Sequence, residues 1–237
     1  MGFIEDKRFS QYGARCLFFD RFGGVSSAPF DSLNVGFNVG DSEENIGKNL
    51  YRVKSFASAA ELGLLNQIHS DKIVEYNGII HNADGFYTNK RGVFLGIRFA
   101  DCLPVILMDV KNKTIMALHA GWKGTYLEIS KKGVEILKKN GAETDNILAS
   151  IGPHICANCY EVKEDVASRF DNRFVLKKKK GLYLDLEKAN TAQLISVGIL
   201  KKNINSLGIC TYENRAFFSY RRDGVCGRNI GGIVISS

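Results

Sequence analysis

Three residues of this chain combine metal-binding side chains with tightly constrained local contexts. His69 lies in Asn66-Gln67-Ile68-His69-Ser70, Cys102 in Ala100-Asp101-Cys102-Leu103-Pro104, and His119 in Leu118-His119-Ala120-Gly121-Trp122-Lys123-Gly124. Two imidazoles and a thiolate suit a borderline-soft ion such as zinc, and three protein ligands leave a position open for water or substrate. If the three converge, the chemistry is that of a catalytic rather than a structural metal.

Something must carry Cys102 and His119 to one place, because 17 positions separate them in the chain. Pro104–Asp109 and Thr114–Leu118 are β-rich runs on either side of Lys111-Asn112-Lys113, which predicts a hairpin. With Asn112 as the tip, equal offsets pair and His119 falls opposite Val105, three positions from Cys102. Both residues then emerge at the open end of the hairpin. No comparable argument reaches His69.

The remaining chain reads as mixed α and β. Ala14–Phe19 predicts an early strand, and 23–40 is a loop rich in turn residues. Ser42 is an N-cap followed by Glu43 and Glu44, and Ile46, Leu50, Val53, Ala57 and Ala60 continue a helix to a stop at Gly63. Arg52 falls off that apolar face and is free for other work. Thr125 with Glu128 fits a capping box for a helix ending near Gly141, and the glycines after His119 can present backbone N–H groups to an anion. Further strands are predicted at Ile147–Ser150 and Ala216–Tyr220, and helices near Val162–Phe170 and Asp185–Val197.

Composition bounds the function. At 237 residues, 45% apolar and 24% charged, the chain fits one large domain over 1–237 with a substantial core. The charged opening Met1-Gly2-Phe3-Ile4-Glu5-Asp6-Lys7-Arg8 is unlike a secretory leader, and the best apolar run, Val93–Met108, is broken by Arg98 and Asp101. A cytoplasmic protein without a membrane partner is expected. The net charge of +7 comes largely from lysine clusters such as Lys177–Lys180, which read as solvated surface. No nucleic-acid motif accompanies them, so nucleic acid is not an expected partner. Six cysteines in such a chain are free thiols or ligands. Cys156-Ala157-Asn158-Cys159 has metal or redox spacing, but a structural zinc site needs two more ligands and none is evident nearby, so free thiols are expected. His81 reads as a loop residue, and His154, after Gly152-Pro153, as a pocket residue rather than a ligand.

Together the segments Gly23-Gly24-Val25-Ser26, Gln67-Ile68-His69, Ala83-Asp84-Gly85, Ala100-Asp101-Cys102-Leu103-Pro104, His119-Ala120-Gly121-Trp122-Lys123-Gly124, Tyr160-Glu161-Val162 and Phe218-Ser219-Tyr220-Arg221-Arg222-Asp223-Gly224 resemble the YfiH-like, laccase-domain family along nearly the whole chain. Cys156 departs from its pattern, where a small residue is more usual. The resemblance implies an α/β (α+β) fold, single-domain and layered α/β/β/α. It implies a zinc site of His69, Cys102 and His119, with copper as an alternative metal. It also implies phosphorolysis of adenosine, inosine, guanosine and methylthioadenosine, with deamination of adenosine, so that purine nucleosides and phosphate are the partners. Arg52 and Arg221 are the expected phosphate ligands, and Gln67 and Asp84 the expected supporting or substrate-contacting residues.

The family's oxidase name can be tested by counting. A blue-copper site and a trinuclear cluster need far more imidazoles than the four histidines present. Two alternatives use the same residues: a cysteine hydrolase with Cys102 as nucleophile and His119 as base, for instance in editing cell-wall precursors, and a non-catalytic metal-binding protein. Oligomeric state is not legible in the sequence.

Overall fold

The two strands of the central hairpin decide the layering. Along Leu103–Asp109 and Thr114–Ala120 every residue but Thr114 is buried, so both faces of the pair are covered. Leu103, Val105, Leu107, Met116, Leu118 and Ala120 fall in one apolar cluster, and Ile106, Met108, Ile115 and Ala117 in another. A strand buried on two faces reads as a continuous apolar run rather than an alternating one.

The computed structural model describes residues 2–236. In chain order it contains β1 (Phe3–Glu5), β2 (Ala14–Phe19), α1 (Glu43–Phe56), β3 (Glu61–Gly63), β4 (Ile73–Glu75), β5 (Gly85–Thr88) and β6 (Val93–Phe99). The hairpin strands are β7 (Leu103–Asp109) and β8 (Thr114–Ala120), followed by α2 (Trp122–Tyr126), α3 (Ile129–Lys139), β9 (Ile147–Ile151), β10 (Glu161–Val162) and α4 (Glu164–Ala167). Then come β11 (Val175–Lys178), β12 (Gly181–Leu184), α5 (Leu186–Ser196), β13 (Ile204–Ser206), α6 (Tyr220–Asp223) and β14 (Asn229–Ile235).

Two main sheets result, ordered β1-β2-β14-β6-β3 and β13-β9-β7-β8-β5-β4, with a small third sheet β10-β12-β11. Ile106, Met108, Ile115 and Ala117 of the six-stranded sheet meet Cys16, Phe18, Leu95, Ile97, Ile233 and Ile235 of the five-stranded one. On the outer face of the six-stranded sheet, β7 and β8 pack against Val134 and Leu137 of α3 and Leu194 of α5. On the outer face of the other, Leu17, Phe19, Phe94 and Val234 pack against Val53 of α1 and Ala57 just beyond its end. The layers are therefore α/β/β/α. Each fully buried leucine or isoleucine contributes roughly 1.5–3 kcal/mol to holding them together. Among the described residues no helix is long and apolar enough to cross a membrane.

Several local signals are realised: β2 spans Ala14–Phe19, Ser42 caps α1 by accepting from the Asn45 amide, and Asp185 caps α5. Others are overridden. The first helix stops at Phe56, because Ser58 takes a left-handed φ of 55° and Glu61–Gly63 pairs with β6 as a parallel strand instead. Thr125 and Glu128 form no capping box. Glu128 has a φ of 62° and separates α2 from α3, while the Thr125 hydroxyl accepts from Asn190 Nδ2 at 2.9 Å. The Val162–Phe170 segment yields only the end of β10 and the four-residue α4. Ala216–Tyr220 is not a strand. Phe217 and Phe218 are buried from a loop, whose Phe218 amide and carbonyl pair with the Asn229 side chain.

The hairpin register also differs from the expected one by a residue. The turn holds four residues, with Lys113 at φ 56° and the Asp109 carboxylate accepting from the Lys111 and Asn112 amides. An even turn has no residue at its centre, so His119 pairs with Pro104 and not Val105. Side chains alternate across a sheet, and a one-residue slip flips the face. Only the observed register puts His119 on the same side as Pro104, and hence as Cys102 two positions earlier.

Candidate metal centre

The face shared by His119 and Cys102 is the one that looks into the gap between the main sheets. Residues 115 and 117 of β8 and residues 106 and 108 of β7 fill that gap with apolar side chains. At the open end of the strands the same alternation delivers an imidazole and a thiol instead. β5 extends the row: Gly85 pairs with Leu118, so Asp84 stands beside His119. The His119 amide donates to the Asp84 carbonyl at 2.7 Å, and His119 Nδ1 lies 2.8 Å from Asp84 Oδ1. With Nδ1–H given to a carboxylate, the Nε2 lone pair is left for a ligand, the usual way a metal-binding imidazole is oriented.

His69 arrives by a different route. It sits in a loop at a left-handed φ of 57°. The Asp84 carboxylate accepts the successive amides of Ile68 (3.2 Å), His69 (3.0 Å) and Ser70 (2.6 Å), together with the Ser70 hydroxyl (2.8 Å). One buried carboxylate thus orients His119 and folds the loop that presents His69. Gln67 completes the anchor by exchanging two hydrogen bonds with the Arg98 backbone, at 2.8 and 2.9 Å. The rings of His69 and His119 meet edge-on at 5.0 Å, and the ligand atoms of His69, Cys102 and His119 all lie within 4.8 Å of one another. A Cβ on Gly121 would stand 3.0 Å from Cys102 Sγ and 3.5 Å from the His69 ring, so this glycine permits the close approach. The helix it opens has only five residues.

The electrostatics make the donors ready for a cation. Burial opposes ionisation of Cys102, but attraction to His119 and hydrogen bonds from both imidazoles outweigh it and bring the thiol down to about 6. Burial likewise works against protonation of His119, yet the Cys102 thiolate and then Asp84 raise it to about 9. Burial of Asp84 is more than offset by hydrogen bonds from His119 and the Ser70 amide, which hold its carboxyl below the usual range. The result is a thiolate–imidazolium pair backed by a carboxylate. A divalent ion can take the proton's place between the same atoms, and a set of two nitrogens and one sulfur with an open fourth side fits zinc. Of the other histidines, His81 bonds Asn77 at 2.9 Å and His154 Nδ1 bonds the Gly152 carbonyl at 2.9 Å, so two imidazoles serve this cluster.

The cluster opens into a cleft of about 710 Å³, on whose walls Phe37, Asn38, Gln67, Arg98, Tyr220 and Arg228 also lie. Arg98 stacks over Phe37 at 5.0 Å and Arg228 over Tyr220 at 5.8 Å. Among the described residues neither guanidinium forms a salt bridge. Burial, with repulsion from Arg228, pulls Arg98 down to about 10. In the sequence Arg98 stands out as the charge that breaks the apolar run of β6. Of the residues expected from sequence, Gln67 lines the cleft, and Asp84 is buried behind the cluster and reaches no substrate space. Arg52 is exposed on α1 and donates to the Gly23 carbonyl at 2.6 Å. Arg221 stacks on Tyr160 and donates to the Glu161 carbonyl at 2.7 Å. Neither Arg52 nor Arg221 lines the cleft.

A family model described as multi-copper polyphenol oxidoreductase laccase matches residues 15–236. The chain belongs to this laccase-domain, YfiH-like family. The crystal structure of a hypothetical protein YfiH from Bacillus licheniformis superposes with a TM-score of 0.93 at 30% identity, covering 99% of this chain and 96% of that one. A purine nucleoside phosphorylase from Deinococcus radiodurans is 36% identical over 219 residues, 89% of this chain and 85% of its own length. An adenosine deaminase, RL5, from an unknown prokaryotic organism is 34% identical over 171 residues, 68% of this chain and 65% of its own. Family relatives thus carry names for two reactions on nucleosides.

Proposed function

We propose that the chain, as one domain over 1–237, is a zinc-dependent purine nucleoside phosphorylase. Adenosine, inosine, guanosine and methylthioadenosine are its substrates, and adenosine is also deaminated at the same site. The observation that carries this reading is the convergence of His69, Cys102 and His119 on a cleft of about 710 Å³ whose walls hold two guanidiniums without carboxylate partners. The names of the relatives give the substrate class. Six free cysteines accord with a reducing compartment, the cytoplasm.

In phosphorolysis the phosphate oxygen bonds to the anomeric carbon as the glycosidic C–N bond breaks, and the base leaves with the electron pair. Arg98 and Arg228 bind the phosphate, since forked guanidinium donors match its oxygens and both line the cleft, which Arg52 and Arg221 do not. Phe37 and Tyr220 offer ring faces to the purine. His69, Cys102 and His119 would hold the zinc, while Asp84 keeps the His119 Nδ1 proton and so the orientation of Nε2. Bound there, zinc would supply Lewis acidity to the reaction. In deamination water takes the place of phosphate: its oxygen bonds to the purine carbon that bears the amino group, the C–N bond breaks, and the amino group leaves as ammonia.

The test is incubation of protein purified without metal-affinity steps with a nucleoside panel, with and without phosphate. Free base plus ribose-1-phosphate is expected only with phosphate, and inosine from adenosine in either case. Both products, and one equivalent of zinc, should be lost in Cys102→Ala. Absence of turnover for every nucleoside by zinc-loaded protein overturns the proposal. The Cys102–His119–Asp84 array favours one second reading, a cysteine hydrolase. Metal-free protein that is active and becomes covalently trapped at Cys102 would establish it instead.

A further inference from the structure

The Cys156-x-x-Cys159 spacing has no partners nearby in sequence, but the fold supplies two. His154 and Cys210 form an isolated parallel bridge, with the His154 amide on the Ile209 carbonyl (3.1 Å) and the Thr211 amide on the His154 carbonyl (2.9 Å). That bridge sets the 156–160 turn beside the 210–214 turn. In the first, the Cys159 and Tyr160 amides both donate to the Cys156 carbonyl at 3.0 Å. In the second, the Asn214 amide donates to the Cys210 carbonyl at 2.9 Å. Each turn presents residues i and i+3 together, so Cys156 and Cys159 face Cys210 and Glu213. The four donor atoms lie within 4.8 Å of one another. With Zn–S near 2.3 Å, the edge of a tetrahedral thiolate site is about 3.8 Å, within a small side-chain adjustment of this arrangement.

We propose that Cys156, Cys159, Cys210 and Glu213 bind a zinc ion as a closed, four-donor structural site, separate from the cluster of His69, Cys102 and His119.

Two hydrogen bonds already draw the donors together. The Cys156 amide points at Cys210 Sγ at 3.3 Å, and Cys159 Sγ donates to Glu213 Oε1 at 3.3 Å. Zinc binding displaces three thiol protons to solvent and leaves a site of net negative charge. Lys178, whose Nζ lies 2.8 Å from Asn158 Oδ1 in the same turn, stands beside it. Four protein donors leave no open position, which marks a structural site. Cys156 and Cys159 are half-buried and Glu213 is exposed, so an ion can enter from solvent. The ion would brace the segments behind Cys102: Thr211, next to Cys210, donates to Asp101 Oδ1 at 2.7 Å, and the Ile155 amide donates to the Asp101 carbonyl at 3.0 Å. Asp101 immediately precedes Cys102.

The test uses the full chain, expressed with zinc and purified untagged under reducing conditions, with metal counted by elemental analysis. Two zinc ions per chain are expected for the native sequence, one for Cys102→Ala, and none when Cys159→Ser and Cys210→Ser are added to Cys102→Ala. Because the triple variant can fail to fold, a second measurement replaces zinc by cobalt in Cys102→Ala alone. Intense thiolate-to-cobalt charge transfer with tetrahedral visible bands is expected, and Glu213→Gln should weaken cobalt binding at least tenfold. Cys102→Ala that takes up no zinc and shows no charge-transfer band overturns the proposal. So does a Cys156–Cys159 or Cys156–Cys210 disulfide in the protein as purified.

Discussion

The two donor clusters share only the thiol as a ligand type, and they are held in different ways. Cys102 and His119 leave the ends of β7 and β8, where pairing register fixes their side, and His69 hangs from a loop gathered by the buried Asp84 carboxylate. Cys156, Cys159, Cys210 and Glu213 stand instead on two turns joined by one isolated bridge, and the carboxylate of that set is itself a prospective ligand. In the first cluster orientation is enforced by protein groups before any ion arrives, and one side stays open to a cleft. In the second the ion would supply the organisation and close the site. A centre that must bind and release substrate needs the former, because reacting groups lose effectiveness steeply when misplaced. A tether needs only the latter.

The comparison is broken most severely at Asp84. In Asp84→Asn the charge is lost and an amide NH₂ is set against a buried N–H donor, so the unfolding free energy should fall by about 3–5 kcal/mol. Zinc affinity of the first cluster should fall about 10–100-fold, while the second cluster keeps its metal. Chemical denaturation and chelator competition measure the two effects. Equal loss of metal from both clusters would show that Asp84 acts on the fold as a whole, not on its own site.

Gly121→Ala is the finer probe. Gly121 has an ordinary φ of −66°, so the substitution introduces no backbone strain. It adds only a methyl 3.0 Å from Cys102 Sγ. Overpacking of this kind costs about 1–3 kcal/mol, and turnover should drop about tenfold with the second cluster's cobalt spectrum unchanged. Native turnover would mean that the donors shift freely, contrary to an enforced orientation.

Asp6, a member of neither cluster, serves as the control. Burial opposes its ionisation, but hydrogen bonds from Arg8 (2.8 Å) and Asn205 (3.1 Å) hold its carboxyl below the usual range. A carboxylate with a lowered folded pKa stabilises above the unfolded value near 4, and that contribution is lost as pH falls through the folded value. Asp6→Asn should therefore lower stability by about 1–2 kcal/mol at neutral pH and flatten its acid dependence. Metal content at both clusters should not change. Thermal unfolding from neutral to acidic pH checks the sign.

Much of the local structure was legible in the chain. Ser42 caps its helix because a side-chain oxygen satisfies an amide three residues on, a partnership set by adjacency alone, and the helix expected near Asp185–Val197 forms over Leu186–Ser196. The central hairpin was legible too, but its register was not, because the turn proved to hold four residues and so had no central one. Phe217 and Phe218 gave an apolar signal that records burial without distinguishing a strand from a loop pinned by Asn229. Arg98 was visible as an interruption, yet its meaning as a cleft cation depends on which strand neighbours β6 and on Arg228 meeting it from the far end of the chain.

By itself, then, the sequence determined which residues could do chemistry and that Cys102 and His119 would share one end of a hairpin, since turn and strand chemistry act over a few residues. It also carried the YfiH-like segments from which the layered fold was expected. Only the tertiary structure decided how His69 reaches the cluster, because Asp84 is brought to three successive amides by sheet pairing rather than by sequence proximity. Only the tertiary structure, likewise, gave Cys156 its partners. Cys210 lies 54 positions away, and no local rule couples two turns across that distance; the packing of the segments that flank them does.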